Sequence, residues 1–288
     1  MMYEAHIQNQ DKWLPRPGYD RRCLAALIAI SKLKTYDWVH ENTNFTMPVV
    51  YEADKHPLEL IQHHLNNPEL PDGFVVKPDR AGGGRGLRVL SRGPAGHVQD
   101  LMGRLWLPEI IVEEMRKESF ERKIKTKEWF CEELIEPHPE HARDFLTMPR
   151  TILVLRYWFH AGRFLGGVWM APTRKSEGFV LFAHGPNWGY FDREGIIRSL
   201  EQPGFKPNNA VVDGRDFAGY KIAGALDDGL LEALTKVAKV WKPEGTLRID
   251  GTVNQHGVWV LGEIEHIQRA PTTNGRPKGM RNLKGLGC

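Results

Sequence analysis

Two short stretches of this sequence carry residue types at spacings that could do chemistry. The first is F-V-V-K-P-D-R-A-G-G-G-R-G-L-R-V-L, Phe74 to Leu90. Two apolar runs bracket a turn that holds Gly82, Gly83, Gly84 and Gly86. Glycine tolerates positive φ and carries no Cβ, so its backbone N–H groups can close on an anion. Lys77 ends the incoming run, and Arg80 and Arg85 lie in the loop itself. No G-K-[ST] opens a helix here, so this is not a Walker loop. Strand, glycine loop and strand make instead a flap that can fold over phosphates. A flexible hairpin with basic residues is the plainer alternative, and the Lys-Pro just before the turn favours the flap.

The second stretch is L-R-I-D-G-T-V-N-Q-H-G-V-W-V-L-G-E-I-E-H, Leu247 to His266. With the turn centred on Gln255-His256, Asp250 pairs with Leu261 and Arg248 with Glu263. Side chains alternate along a strand, so Arg248, Asp250, Glu263 and Glu265 share one face. Leu247, Ile249 and Ile264 take the other and can pack on a core. Three carboxylates on one face repel unless cations sit between them. Mg²⁺ is usually held by one or two carboxylates plus substrate phosphates, which makes Asp250, Glu263 and Glu265 the expected metal ligands. A surface ion pair of Arg248 with Glu263, worth little, is the bland alternative.

Together these stretches resemble the ATP-grasp superfamily. The glycine segment is similar to that family's phosphate flap. R-I-D and L-G-E-I-E are similar to its metal-binding hairpin, in which Glu-x-Asn follows an Asp by thirteen residues, the separation of Asp250 and Glu263. Glu265 stands where Asn is common. S-K-L-K-T-Y-D-W-V-H followed by M-P-V-V resembles the stretch whose lysine begins a helix, which makes Lys32, or Lys34 in its place, the first phosphate-contacting lysine. W-F-C-E-E-L-I-E resembles the hinge that meets adenine and would set Glu132, Glu133, Leu134 and Ile135 beside the base; I-I-V-E-E-M at Ile110 to Met115 is a competing match. P-H-P-E-H-A-R-D-F through R-T-I-L-V-L, and A-P-T-R-K-S-E-G through N-W-G, are similar to the branch found beside sugar-transfer genes, and more distantly to α-L-glutamate ligases.

The resemblance implies an α+β, ATP-grasp fold, two α+β lobes clamping a nucleotide, with ATP and Mg²⁺ as cofactors. It implies an ADP-forming ligase: a carboxylate attacks the γ-phosphate, and an amine or other nucleophile displaces phosphate from the acyl phosphate. Lys32 and Lys77 would hold the α/β-phosphates. Arg150 and Arg174 would reach the transferring phosphate, with Lys175 and Asn187 as weaker choices. His184 or His266 could act as a base, although none is required if the amine arrives unprotonated. The partners implied are a small-molecule carboxylate and an amine, peptide or sugar acceptor, with nucleic acid disfavoured and a homo-oligomer open. Many family ligases carry a full domain before the flap. Here some thirty residues precede Lys32, so the acceptor role is expected to pass to the loop at 173–215 or to a partner chain.

Two rival readings stay open on sequence. Lys77-Pro78-Asp79 with Glu177-Gly178-Phe179-Val180 resembles a covalent nucleotidyltransferase of the nucleic-acid ligase type, in which Lys77 is adenylated. A nucleotide-binding protein without turnover is the other.

The elements that must position these residues can also be read. Arg21 to Glu41 reads as a helix, and Leu58, Ile61 and Leu65 mark another, stopped by Pro68 and Pro71. Strands are expected at Pro48–Tyr51, Phe74–Lys77 and Leu87–Ser91. Val98, Leu101, Met102 and Leu105 suggest a helix, Ile110 to Glu113 a buried strand, and Arg116 to Glu128 an exposed helix or excursion. Trp129 to Ile135 returns inward. Thr151–His160 and Phe164–Met170 flank a hairpin turn, a loop-rich region runs from Thr173 to Arg215, and Leu230 to Trp241 forms an amphipathic helix. Strands and helices mix without strict alternation, which gives α+β. The expected division is an N-terminal extension (1–30), a small lobe with the flap (31–106), a large lobe with the acidic hairpin (107–270) and a basic tail (271–288).

Composition sets the outer bounds. The chain has 288 residues, 41% hydrophobic and 26% charged, which suits a soluble globular protein and excludes disordered or fibrous classes. The longest apolar run, Cys23 to Ile30, is far short of the roughly 20 residues a span needs. No apolar signal core opens the sequence, and three scattered cysteines (Cys23, Cys131, Cys288) argue against a disulfide framework, so a cytoplasmic location is expected. Net charge is +3, and the last twenty residues carry five basic groups and no acid. That end could touch an anion or be a solvated tail. Trp158, Trp169, Trp188 and Tyr190 could line a substrate pocket or simply pack a core.

Overall fold

The computed structural model describes residues 31–80, 86–121, 128–148, 150–172, 187–198, 211–212, 215–241 and 246–266. Gly82, Gly83, Gly84, Arg85, Arg174, Lys175, His184, Glu177–Val180, the 1–30 extension and the 271–288 tail lie outside the described residues, as do Cys23 and Cys288.

Two six-stranded antiparallel sheets form the frame. The first runs in the order β1 (Val50–Lys55), β6 (Trp129–Glu133), β2 (Gly73–Pro78), β3 (Arg88–Arg92), β4 (Val98–Gln99), β5 (Leu105–Trp106). Two helices, α2 (Pro57–Asn66) and α3 (Pro108–Glu121), cover one face. Alternation along β2 explains why: Phe74 and Val76 are fully buried with Leu60, Ile61, Ile111 and Met115, which leaves Val75 and Lys77 for the opposite face. Because β6 pairs with both β1 and β2, this sheet draws a strand from beyond the 106/107 division expected above.

The second sheet runs β10 (Ile197–Arg198), β9 (Asn187–Phe191), β8 (Arg163–Ala171), β7 (Val154–His160), β13 (Thr246–Val253), β14 (Trp259–His266). A separate short pair, β11 (Val211–Val212) and β12 (Arg215–Asp216), and helix α4 (Pro139–Asp144) are also present, with a 3-10 turn at Pro94–Gly96. Helix α5 (Asp228–Trp241) packs Leu234, Val237, Ala238 and Trp241 into the main core with Leu155, Tyr157, Leu247, Ile249 and Ile264. Aromatic rings lie flat over glycines on this sheet. A Cβ on Gly167 would sit 1.9 Å from the Phe191 ring, so only glycine fits there. The expected flap strands, the 151–170 hairpin, α5 and the acidic hairpin are all present.

Three expectations fail. Val98 to Leu105 is a pair of two-residue strands around a turn: Asp100 Oδ1 accepts from Met102 and Arg104 N–H, and Gly103 has φ 81°. Ile110 to Glu113 lies within α3, where Ile111, Val112 and Met115 recur at helical spacing against β2. The region read as loop-rich contains β9, paired along β8, and β10. Trp169 is fully buried in the main core, whereas Trp158, Trp188 and Tyr190 form a small cluster on the opposite face of the second sheet. No helix among the described residues is long and apolar enough to cross a membrane.

Helix α1 (Lys32–Asn42) sits between the sheets. Ser31 caps it by accepting from Lys34 N–H and donates to Asp79 Oδ1 at 3.0 Å. Asp79 also takes Leu33 N–H at 2.9 Å, so the residue just past β2 fixes the N-terminus of α1. Val39 joins the main core.

Candidate active site

The flap strand and the acidic hairpin face one cavity of about 180 Å³ between the two sheets. Val75, Lys77, Pro78 and Leu87 come from the flap hairpin, and Asp250, Gly251, Gly262 and Glu263 from the acidic one. Lys32 closes one side, and Glu132, Glu133, Leu134 and Ile135 another. Its lining combines apolar side chains, Val75, Leu87, Leu134, Ile152 and Leu261, with charged ones, Lys32, Lys77, Arg156, Asp250 and Glu263.

Lys77 is 7% exposed and its Nζ lies 2.5 Å from Glu132 Oε1 on the neighbouring strand. It also donates to Tyr36 Oη at 3.0 Å. Burial opposes the ammonium charge, but Glu132 and Tyr36 outweigh it and hold Lys77 above the ordinary lysine value. Lys32 Nζ donates to the Asp79 carbonyl at 3.3 Å and stands 3.8 Å from Glu263 Oε1. Burial lowers its pKa, against the pull of Glu263.

Across the second sheet the ladder pairs Arg248 with Glu265, and Asp250 with both Glu263 and Arg156. The expected shared face is therefore present, but the expected partners are corrected. Gly251 faces Leu261 while Asp250 faces Glu263, so Gly262 is the extra residue of a β-bulge. That bulge replaces the pairing of Asp250 with Leu261 and of Arg248 with Glu263. Arg248 Nε bonds Asp250 Oδ1 at 2.7 Å, its NH2 pairs with Glu265, and Glu263 Oε2 lies 3.7 Å away. Arg156 Nε is 3.2 Å from Asp250 Oδ2.

The oxygen-only pair of Asp250 and Glu263, opposed on the cavity wall, suits Mg²⁺, which needs one or two carboxylates with phosphates completing its shell. Asp250 keeps lone pairs beyond those given to the arginines. Glu265 is different. It is absent from the cavity lining and is drawn to Arg248, and among the described residues no three acidic, thiol or imidazole groups converge as a ligand set.

Arg150 is not brought to the cavity. Its φ is 58°, and its guanidinium bonds Ser91 Oγ, with Gln99 Oε1 at 3.4 Å and Asp72 at 3.8 Å. Arg156, which sequence reasoning passed over, stands on the wall instead. Its signal was a single charge inside the strand V-L-R-Y-W-F, on the face opposite the core residues Leu155 and Tyr157. Gly86, φ 72°, is off the cavity; a Cβ there would come 3.0 Å from Trp129 Cη2. Asn187 begins β9, outside the lining, and His266 ends β14. Of the two hinge matches, Glu132 to Ile135 line the cavity, and Ile110 to Met115 lie in α3 on the far face of the first sheet.

No protein-family model matches the sequence, and no curated protein does. Solved structures do. The VanG D-Ala:D-Ser ligase from Enterococcus faecalis aligns at TM-score 0.50 and 13% identity, covering 91% of this chain and 63% of that one. The ATP-grasp ligase PsnB complexed with minimal precursor gives 0.44 and 10%, over 93% and 58%. A D-alanine–D-alanine ligase from Bacillus anthracis complexed with ATP gives 0.43 and 15%, over 84% and 56%. The chain spans less than two thirds of the length of each of these. At such identities the likeness is one of fold.

Proposed function

We propose that this chain, which has the ATP-grasp fold, is an ATP- and Mg²⁺-dependent ligase that joins a carboxylate to an amine or other nucleophile through an acyl phosphate, releasing ADP and phosphate. One observation carries the reading: the flap strand and the acidic hairpin line one cavity, which holds Lys32 and Lys77 together with Asp250 and Glu263.

The apolar part of the lining, Val75, Leu87, Leu134, Ile152 and Leu261, suits a flat base, with Glu133 to Ile135 lining the same cavity. Lys32 and Lys77 then bind the α/β-phosphates. Arg156, beside Asp250, takes the role at the transferring phosphate that the resemblance gave to Arg150; Arg174 and Lys175 remain proposed helpers. Asp250 and Glu263 would hold the metal, with Glu265 kept back by Arg248. Mg²⁺ held there would supply charge neutralisation to the phosphates. Cations fixed in a poorly hydrated cleft need no reorganisation as charge develops, which is where the rate gain originates. The flap excludes water from the acyl phosphate. Against burial, Glu132 and Tyr36 hold the Lys77 pKa above the ordinary lysine value, whereas a lysine that serves as a nucleophile is activated by a lowered one, which disfavours an adenylated Lys77.

A D-Ala:D-Ser ligase shares the fold, so amino acids head the list of acids and amines, followed by peptides and sugar acids for the sugar-transfer resemblance. The test is a product-resolved screen with Mg²⁺-ATP. ADP and phosphate released only when acid and amine are both present support the reading; AMP, pyrophosphate or a labelled Lys77 overturn it.

A further inference from the structure

Tyr36 has entered so far only as a partner of Lys77, yet its hydroxyl joins the flap sheet to the acidic hairpin. It accepts from Lys77 Nζ at 3.0 Å, and its proton has two acceptors, Glu132 Oε2 at 3.1 Å and the Gly262 carbonyl at 3.3 Å. Lys77 and Glu132 belong to the flap sheet. Gly262 is the bulge residue beside Glu263 on the acidic hairpin. The side chain is 5% exposed and its ring meets Phe130 edge-on, at 6.3 Å and 83°. One turn earlier on α1, Lys32 stands near Glu263, so residues four apart on one helix face serve the same cavity.

We propose that Tyr36 is a positioning residue: its hydroxyl aims the Lys77 ammonium into the cavity and ties that aim to the bulge that sets Glu263. This rests on the nucleotide-binding reading above. A lysine has three N–H donors on a rotating head. Glu132 alone fixes one N–H direction and leaves Cε free to swing about that axis. Tyr36 fixes a second, so that the third N–H points one way, into the cavity, as the donor for a phosphate oxygen. The phenol stays protonated, since burial and then the Glu132 carboxylate push its pKa above the ordinary tyrosine value.

The test is Tyr36→Phe, measured by calorimetric binding of adenosine and of a non-hydrolysable ATP analogue with Mg²⁺, alone and in a Lys77→Met background. The Phe ring keeps the Phe130 contact, so the melting temperature is expected to move little. The variant is expected to bind the analogue about tenfold more weakly, the worth of an oriented charged hydrogen bond. Adenosine affinity is expected to be unchanged, and the loss to vanish when Lys77 is already Met. A purely structural role would weaken adenosine equally and add to Lys77→Met. Either of those results, or unchanged analogue affinity, overturns the proposal for Tyr36 alone. Wild-type protein that binds no nucleotide overturns it together with the ligase reading.

Discussion

Asp250 and Glu263 stand directly opposite each other across the β13–β14 ladder, on the same face as Arg248 and beside the bulge at Gly262. Two carboxylates held in register, in a cavity that Lys32 and Lys77 also line, define where a metal-bound triphosphate would lie in the proposed reading. Asp250→Asn and Glu263→Gln should each lower Mg²⁺-dependent turnover by at least about a hundredfold, the scale of losing a fixed transition-state contact. Circular dichroism should show the fold intact. Wild-type rates in either variant would remove these residues from the metal site.

Lys77 should weigh on binding and folding together. Lys77→Met removes the proposed phosphate contact and leaves Glu132 buried without its cation. Breaking one side of a buried pair costs about 3–5 kcal/mol, to be read from urea unfolding. Adding Glu132→Gln should return most of that stability while nucleotide binding stays weak. If stability does not recover, the pair is not what makes Lys77 structural.

Lys32 should set the alkaline limit of ATP affinity. Burial lowers its pKa, so as pH rises it loses its charge before an ordinary lysine, while Lys77, held higher, keeps its own. Affinity should therefore fall at alkaline pH in the wild type and persist to higher pH in Lys32→Arg. Identical pH profiles would assign the limit to another group.

Arg248 acts as a tethered cation among Asp250, Glu263 and Glu265. In Arg248→Met those carboxylates face one another unscreened. The variant should melt at lower temperature than the wild type, and added Mg²⁺ should raise its melting temperature by more than it raises the wild type's. An equal response would show that Arg248 does not screen them.

His141 gives the fold an acid-sensitive point. It is fully buried, its Nε2 donates to the Ala223 carbonyl at 2.8 Å, and burial lowers its pKa from 6.5 to about 4. Between those values the unfolded chain binds a proton that the folded one refuses, so stability falls as pH drops through that window, by about 3 kcal/mol in all. His141→Gln keeps a donor to Ala223 without titrating and should flatten that slope, measured by urea unfolding at about pH 7, above that window, and about pH 4.5, near its foot.

How far the sequence spoke depended on how local the signal was. The acidic hairpin was legible because a strict alternation ran through a turn of Asn254 to Gly257, yet its partners were off until the Gly262 bulge was seen, since bulges leave no periodic mark. The flap strands and α5 were legible for the same reason of period. Val98 to Leu105 was misread because four apolar residues at helical spacing were separated by the Asp100 turn, whose hydrogen bonds no period reveals. The I-I-V run at Ile110 favoured a strand by composition, and tertiary packing on β2 made it helix. Arg150 and Arg156 differ by six positions, and only the backbone decides which meets the cavity: Arg150, at positive φ, turns to Ser91, whereas the strand carries Arg156 to Asp250. Tyr36 sat within the quoted K-L-K-T-Y motif but its partners come from 41 and 96 residues away, so nothing local could reveal it.

The most direct measurement is calorimetric titration of a Mg²⁺-bound, non-hydrolysable ATP analogue into wild-type protein, Lys77→Met and Asp250→Asn. One variant alters each hairpin. Saturable binding to the wild type, weakened at least about tenfold by either change, is the predicted result. No binding to the wild type, or the same affinity in all three proteins, would contradict a nucleotide held between these two hairpins.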